Sequence, residues 1–371
     1  MKKIIGYLLR FGLSLGILAG LFWYASRDPQ FVENLHSLRR VSLENWPLLF
    51  AGWAFIFTGV LITIVRWYLL VRTLELPFRF RDALRLGFLG YLLNFVSLGS
   101  VGGDLFKAIF IARENRGRRP EAVATVVVDR MIGLYGLFLV ATTAILLTGQ
   151  AGVVEPVELR IIVRATLICT VVGGVGIIIL LVPGFTSGTV SEMLASIPRV
   201  GPVLERLIGA IRMFRRNVPI LVLSVVMSMG VHTCATIGCY IIATTLPGNV
   251  PTLQQHFLII PLVMVAGAVP LMPAGLGAVE ATFEFLYLKL GVGVGPGQGL
   301  LVGVAYRVVT ILNAGVGAII YFTSHKELAK VMHEVEVETE SDAAPPQAVS
   351  IDRQASDELP TETSSTSNHP G

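Results

Sequence analysis

The chain has 371 residues, of which 53% are hydrophobic and only 15% charged, with a net charge of +4. Soluble domains carry roughly 25% charged residues. That deficit, with a mean hydropathy of +0.71, excludes a water-soluble globular protein and places the chain among polytopic membrane proteins. Residues 325–371 hold three Lys/Arg against ten Asp/Glu, which leaves +11 on the rest. Such a basic body suits anionic lipid headgroups rather than nucleic acid, for which no aromatic-basic module is present.

In chain order, Lys2 and Lys3 precede an apolar run to Tyr24. The run is long for a signal peptide, Arg10 interrupts it and Ala25-Ser26 is a poor cleavage site, so an uncleaved first span is expected. A linker of mixed charge, 26–45, leads to a second span from Trp46 to Val65, bounded by Trp46 and by Trp67-Tyr68. Arg66, Arg72, Arg79 and Arg81 follow and read as cytoplasmic. The apolar stretch 83–101 then runs into a second basic segment, Lys107, Arg113, Arg116, Arg118 and Arg119. One crossing cannot join two cytoplasmic loops. The stretch 83–112 therefore reads as a re-entrant hairpin that turns near SLGSVGGD and breaks at Gly102 and Gly103. Such a tip is tolerated only where protein or water buries it.

Residues 121–148 should cross outward and 160–183 back, joined by the acidic loop 149–159. Between 189 and 216, Leu204, Leu207, Ile208, Ile211 and Phe214 recur at helical spacing among five arginines, the pattern of an amphipathic surface helix. Residues 218–246 cross outward. The run 257–272 breaks at Pro273, Gly275 and Gly277 and resumes at Ala278, a second hairpin, and 299–323 cross inward to Lys326 and Lys330. The expected fold is all-α: six full spans and two re-entrant helical hairpins, in inverted halves of about 1–150 and 155–325. A count of eight full spans is the alternative, at the cost of placing the basic loop 107–119 outside. The domain is expected to end near 325, and 326–371 lack apolar periodicity and should be a disordered acidic cytoplasmic tail. Lys/Arg placement puts both termini in the cytoplasm of a protein of the cell (inner) membrane.

Asp104, Asp129, Arg130, Glu280, Glu284 and Arg307 are ionisable groups inside apolar stretches. A charge at membrane depth costs at least about 2.5–3.5 kcal/mol, so each should face a partner or a wet cavity. Asp104 to Arg130 is 26 positions and Glu280 to Arg307 is 27, as in two related halves around one site. Asp129 and Arg130 point about 100° apart on a helix and do not pair with each other. Asp104 or Glu280 could serve Arg130, and Glu280 or Asp104 could serve Arg307. These pairs either hold the hairpins in place or leave Arg130 and Arg307 to receive an anionic headgroup, because guanidinium matches phosphate bidentately. Arg66 and Arg72 are expected near the membrane surface, as positive-inside anchors or as phosphate collectors at a cavity mouth. Asn94 and Asn313 read as interhelical hydrogen-bonding groups, His232 as structural, and Cys169, Cys234 and Cys239 as small buried hydrophobes without metal-ligand spacing. No HExxH, GxSxG, DDxxD or Walker A sequence is present, so neither an enzyme nor a bound metal or cofactor is expected, and transport would be passive or ion-coupled.

The segments RWYLLVR, NFVSLGSVGGDLFKA, VVVDRMIGL and MPAGLGAVEATF, in this order, resemble the lysylphosphatidylglycerol synthase transmembrane region, a flippase-like family of integral membrane proteins. The similarity runs over about residues 5–325. The family pattern falls on Gly102, Gly103, Asp104, Asp129, Arg130, Gly133, Pro273, Gly275, Gly277 and Glu280. The resemblance implies a protein that translocates lipids, anionic or polyprenyl-linked, or that accompanies a lipid- or glycan-modifying enzyme. The soluble aminoacyltransferase domain of bifunctional members would correspond here to a 47-residue acidic tail, so synthesis of lysyl-lipid by this chain alone is not expected.

Overall fold

The computed structural model describes residues 2–96, 102–149, 157–181, 212–268 and 273–323. They form eleven α-helices, and no strand occurs among the described residues. In order these are α1 (Lys2–Ala25), α2 (Pro29–Glu44), α3 (Trp46–Thr73), α4 (Phe80–Val96), α5 (Gly102–Glu114), α6 (Arg119–Leu147), α7 (Val157–Leu181), α8 (Val218–Thr244), α9 (Leu253–Ala268), α10 (Ala278–Leu290) and α11 (Gln298–Thr323). Helices α3, α6, α7, α8 and α11 are long and apolar enough to cross a membrane, and they fall on five of the six expected spans. A proline sits in the first turn of α3, α6 and α8, where its missing N–H would have had no helical partner. The amphipathic segment 189–211, the acidic tail and the first hairpin tip, 97–101, lie outside the described residues.

Helices α3 and α8 pack along each other through small residues. A Cβ on Gly238 would come 2.5 Å from the Gly52 carbonyl oxygen, so only glycine allows this approach, as is common between membrane helices. One buried apolar cluster draws mainly on α8, α9, α10 and α11 and includes Cys239, Ile259, Phe283, Tyr287 and Val302. Helix α7 instead turns Ile161, Ile168, Val171, Val172 and Ile178 outward, a face suited to lipid. Cys169 is on this exposed side, contrary to the expectation of a buried thiol. An apolar environment outside the protein satisfies a small hydrophobe as well as one inside.

Both glycine breaks separate pairs of short antiparallel helices. In the first, Gly103 N–H donates to Asn94 Oδ1 at 2.9 Å across the break. A Cβ on Gly103 would run into the Gly90 carbonyl. At the far end of this pair Glu114 lies near Asp82 and Arg85. Burial, reinforced by the Asp82 charge, pushes its carboxyl above the ordinary value. In the second pair Gln255 Nε2 donates to the Leu290 carbonyl at 2.6 Å, His256 Nε2 lies 2.7 Å from the Tyr287 hydroxyl, and the built Cβ of Gly275 meets Gly267 Cα at 2.8 Å. The four arms, α4, α5, α9 and α10, have 17, 13, 16 and 13 residues. At 1.5 Å per residue they reach about 20–26 Å, short of the roughly 30 Å of a hydrocarbon core.

The packing pattern is reciprocal. Helix α5 packs on α6 and α10 on α11, while α4 packs on α11 and α9 on α6. The turn 273–275 also touches α4, so the tip of the second pair meets the first. The segment 26–45, read from sequence as a linker, is mostly helix α2. Asp28 Oδ1 accepts the Gln30 N–H at 2.8 Å and Pro29 opens the helix, an N-terminal signal present in the sequence.

Candidate functional site

The ionisable groups of the apolar stretches gather in three clusters. The first is built by α3, α5 and α6. Asp104, in the first turn of α5, accepts from Arg130 Nε through Oδ2 and faces Lys107 Nζ through Oδ1 at 3.5 Å. Lys107 also lies over the Trp67 ring, 5.1 Å from its centroid, within cation–π range. Lys107 was read from sequence as part of a cytoplasmic loop. It is instead on the inner face of α5, because it follows Asp104 by one helical turn.

The second cluster is continuous with the first. Arg66 precedes Trp67 on α3, and Asp129 precedes Arg130 on α6. Arg66 Nε donates to Asp129 Oδ1 at 2.8 Å and Arg66 Nη2 to the Asp129 carbonyl at 3.3 Å. The guanidinium lies along α6 toward Gly133, where a built Cβ would come 3.3 Å from Nη2. The Gly133 carbonyl lies 3.0 Å from His232 Nε2 and accepts from Ser228 Oγ at 3.3 Å. His232 is thus held between α6 and α8, in keeping with a structural role. Arg66, read from sequence as an anchor or phosphate collector, is buried against α6, with its side chain 4% exposed. The apolar face of α3 continues past Val65, through buried Trp67, Leu70 and Val71, and carries Arg66 inward with it. Arg72 is exposed.

The third cluster closes the second hairpin. Glu280, in the first turn of α10, accepts the Gly277 N–H through Oε2 at 2.7 Å and pairs with Arg307 through Oε1, at 2.9 Å from Nε and 2.8 Å from Nη2. Arg307 Nη1 donates to the Ala274 carbonyl at 2.8 Å and Nη2 to the Gly275 carbonyl at 3.4 Å. This grip holds an unfavourable backbone: Ala274 has φ 49°, and Gly275 and Gly277 have φ 66° and 87°. Glycine adopts such angles freely, whereas alanine does so at a cost. Pro273 opens the turn. Glu284 accepts from Gly297 N–H at 2.6 Å and Leu300 N–H at 3.0 Å, so both its oxygens cap the N-terminus of α11.

Each arginine therefore pairs with the acid of its own half: Arg130 with Asp104, Arg307 with Glu280. The two pairs differ in environment. The Arg307 side chain is 13% exposed and spends its donors on the hairpin tip, whereas that of Arg130 is 45% exposed. The first two clusters together hold three cations, Arg66, Lys107 and Arg130, against two carboxylates, Asp104 and Asp129, an excess of +1. The third sets Arg307 against Glu280 and Glu284, a net −1. Asn94 and Asn313 both bond between helices, Asn313 by accepting Trp53 Nε1–H at 3.0 Å. No group of three or more potential metal ligands occurs among the described residues.

A family model described as the lysylphosphatidylglycerol synthase TM region matches residues 10–317. No curated protein and no solved structure gave a significant match.

Proposed function

Because the chain belongs to the lysylphosphatidylglycerol synthase transmembrane-region family, we propose that it moves an anionic or polyprenyl-linked lipid between leaflets, without catalysing a covalent reaction. The observation that carries this reading is the excess positive charge beside the first hairpin, offered to the exterior by the half-exposed Arg130. Arg130 is eleven residues into α6, about 17 Å from its start at 1.5 Å per residue. A cation at that depth is costly unless it meets an anion or water. A lipid phosphate would meet Arg130 and Lys107 there, with Asp104 holding both cations in place and the acyl chains left in the bilayer. Arg307 and Glu280 act in this reading as the clasp of the second hairpin, not as headgroup ligands.

The same reading takes α4–α5 and α9–α10 as re-entrant hairpins, α1, α3, α6, α7, α8 and α11 as six full spans, and the halves as an inverted repeat. The short arms and the reciprocal packing of each first arm on the other half's last span support it. Both termini would face the cytoplasm, since the basic residues collect at one end. The test is lipid flipping by purified protein in liposomes, with dithionite quenching of a labelled anionic lipid. Wild-type protein should accelerate loss of inner-leaflet fluorescence, and a rate equal to that of empty liposomes overturns the proposal.

A further inference from the structure

Helix α7 carries two arginines, Arg160 and Arg164, outside the three clusters described above. Its register against α6 is set by Thr170, whose Oγ1 lies 2.6 Å from Thr142 Oγ1, and by Gly174, where a built Cβ would meet the Tyr135 hydroxyl at 2.7 Å. Numbers rise on one helix as they fall on the other, so the two run antiparallel. Arg164 is therefore level with the end of α6 at Leu147. Helix α6 starts from the arginine-rich segment 113–119, so Arg160 and Arg164 lie at the opposite end of the span. Cations normally collect at the cytoplasmic end, and two arginines at the other end are an exception.

The surroundings of Arg164 lack an anion. Glu158 is the only carboxylate on α7, and Lys289 Nζ already faces its Oε1 at 3.6 Å. Arg164 is exposed and makes no hydrogen bond or ion pair with a described residue. Arg160 is one turn away on the same side, where like charges repel unless an anion lies between them. Beyond Arg164, residues 165–181 carry no charge. They make about 26 Å of helix, close to the roughly 30 Å of a hydrocarbon core, so Arg164 is at the border where lipid phosphates lie. The same side of α7 continues in exposed Ile168, Val171 and Val175.

We propose that this end of α7 docks an anionic phospholipid, whose phosphate bridges Arg160 and Arg164 and whose acyl chains lie along Ile168, Val171 and Val175. A guanidinium grips phosphate through two parallel hydrogen bonds, and two of them favour a headgroup with no cation of its own. The apolar surface directly beneath the arginines selects a lipid over a soluble phosphate. The site stands on α7 alone and does not depend on the lipid-translocation reading.

The test reconstitutes full-length protein with phosphatidylglycerol or phosphatidylcholine carrying a diazirine in one acyl chain, and maps the photo-crosslinks by peptide mass spectrometry. The anionic lipid should label the stretch 165–181 about tenfold more than the zwitterionic one, as a charge-assisted contact implies. That preference should vanish in Arg164→Gln and in Arg160→Gln with Arg164→Gln. Arg130→Gln should keep it, which separates this site from the one beside the first hairpin. Equal labelling of wild-type α7 by the two lipids, an undiminished preference in both arginine variants, or loss of labelling on adding inorganic phosphate at constant ionic strength each overturns the proposal. Arg164 is exposed, so its substitution leaves the packing intact; should a variant still fail to insert, the comparison of the two lipids on wild-type protein decides alone.

Discussion

Asp129 and Arg130 are adjacent in sequence, yet their removal should have opposite consequences. Asp129 faces Arg66 at 2.8 Å, with side-chain exposures of 9% and 4%. Asp129→Asn keeps size and removes the charge, which strands a buried guanidinium. Breaking a buried pair from one side costs about 3–5 kcal/mol. Arg130 pairs with Asp104 while 45% exposed, and half-exposed pairs contribute about 0.2–1 kcal/mol. Thermal unfolding in detergent, read by a thiol-reactive dye reporting on buried Cys239, should therefore fall by on the order of 10 °C for Asp129→Asn. Arg130→Gln should melt within a few degrees of wild type. The double variant Asp129→Asn with Arg66→Met should recover much of the loss, because no unpaired charge remains. If Asp129→Asn melts like wild type, or if Arg130→Gln is the more damaging change, the division into a buried structural pair and an exposed working pair is wrong.

Gly103→Ala should destabilise by about 1–3 kcal/mol or prevent insertion, since its Cβ overlaps the Gly90 backbone and backbone cannot yield as a side chain does; expression and melting temperature report this. Ala274→Gly should raise stability by up to about 1 kcal/mol by relieving the positive φ, unless the clasp by Arg307 needs that strain, in which case a melt shows no gain. Cysteines at Gly117, which has open space around it, and at Val292, 93% exposed, should label from the cytoplasm and from outside respectively. Labelling of both from one side overturns the six-span topology.

The helices were legible because apolar runs of membrane length are hard to mistake, and the second break because Pro273 to Gly277 interrupt one with residues that helices tolerate poorly, whereas Gly102 and Gly103, read as the first break, open helix α5. The acids and arginines were legible as costly charges in apolar stretches. Their pairing was not, because it depends on how each helix is rotated. Asp129 and Arg130 point in directions that only packing fixes, one toward α3 and one toward α5. Lys107 was hidden by its basic neighbours, although its i, i+3 relation to Asp104 on a helix was there to be seen. Arg66 was hidden in the same way by Arg72, Arg79 and Arg81. Glu284 looked like a site residue because buried carboxylates often are. Nothing in the sequence foretold that the N-terminus of α11 would take both its oxygens.

The central claim is that Arg130 contacts the translocated headgroup while Arg307 only closes a hairpin. The direct measurement is dithionite-monitored flipping of labelled phosphatidylglycerol and labelled polyprenyl phosphate by wild-type and Arg130→Gln protein, reconstituted at equal density and matched melting temperature. A charge-assisted contact is worth about 1.5–3 kcal/mol, or roughly 10- to 100-fold in rate. The account predicts that Arg130→Gln inserts, melts like wild type and flips at least one of these lipids about tenfold or more slower. Flipping of both lipids by Arg130→Gln at the wild-type rate would contradict it.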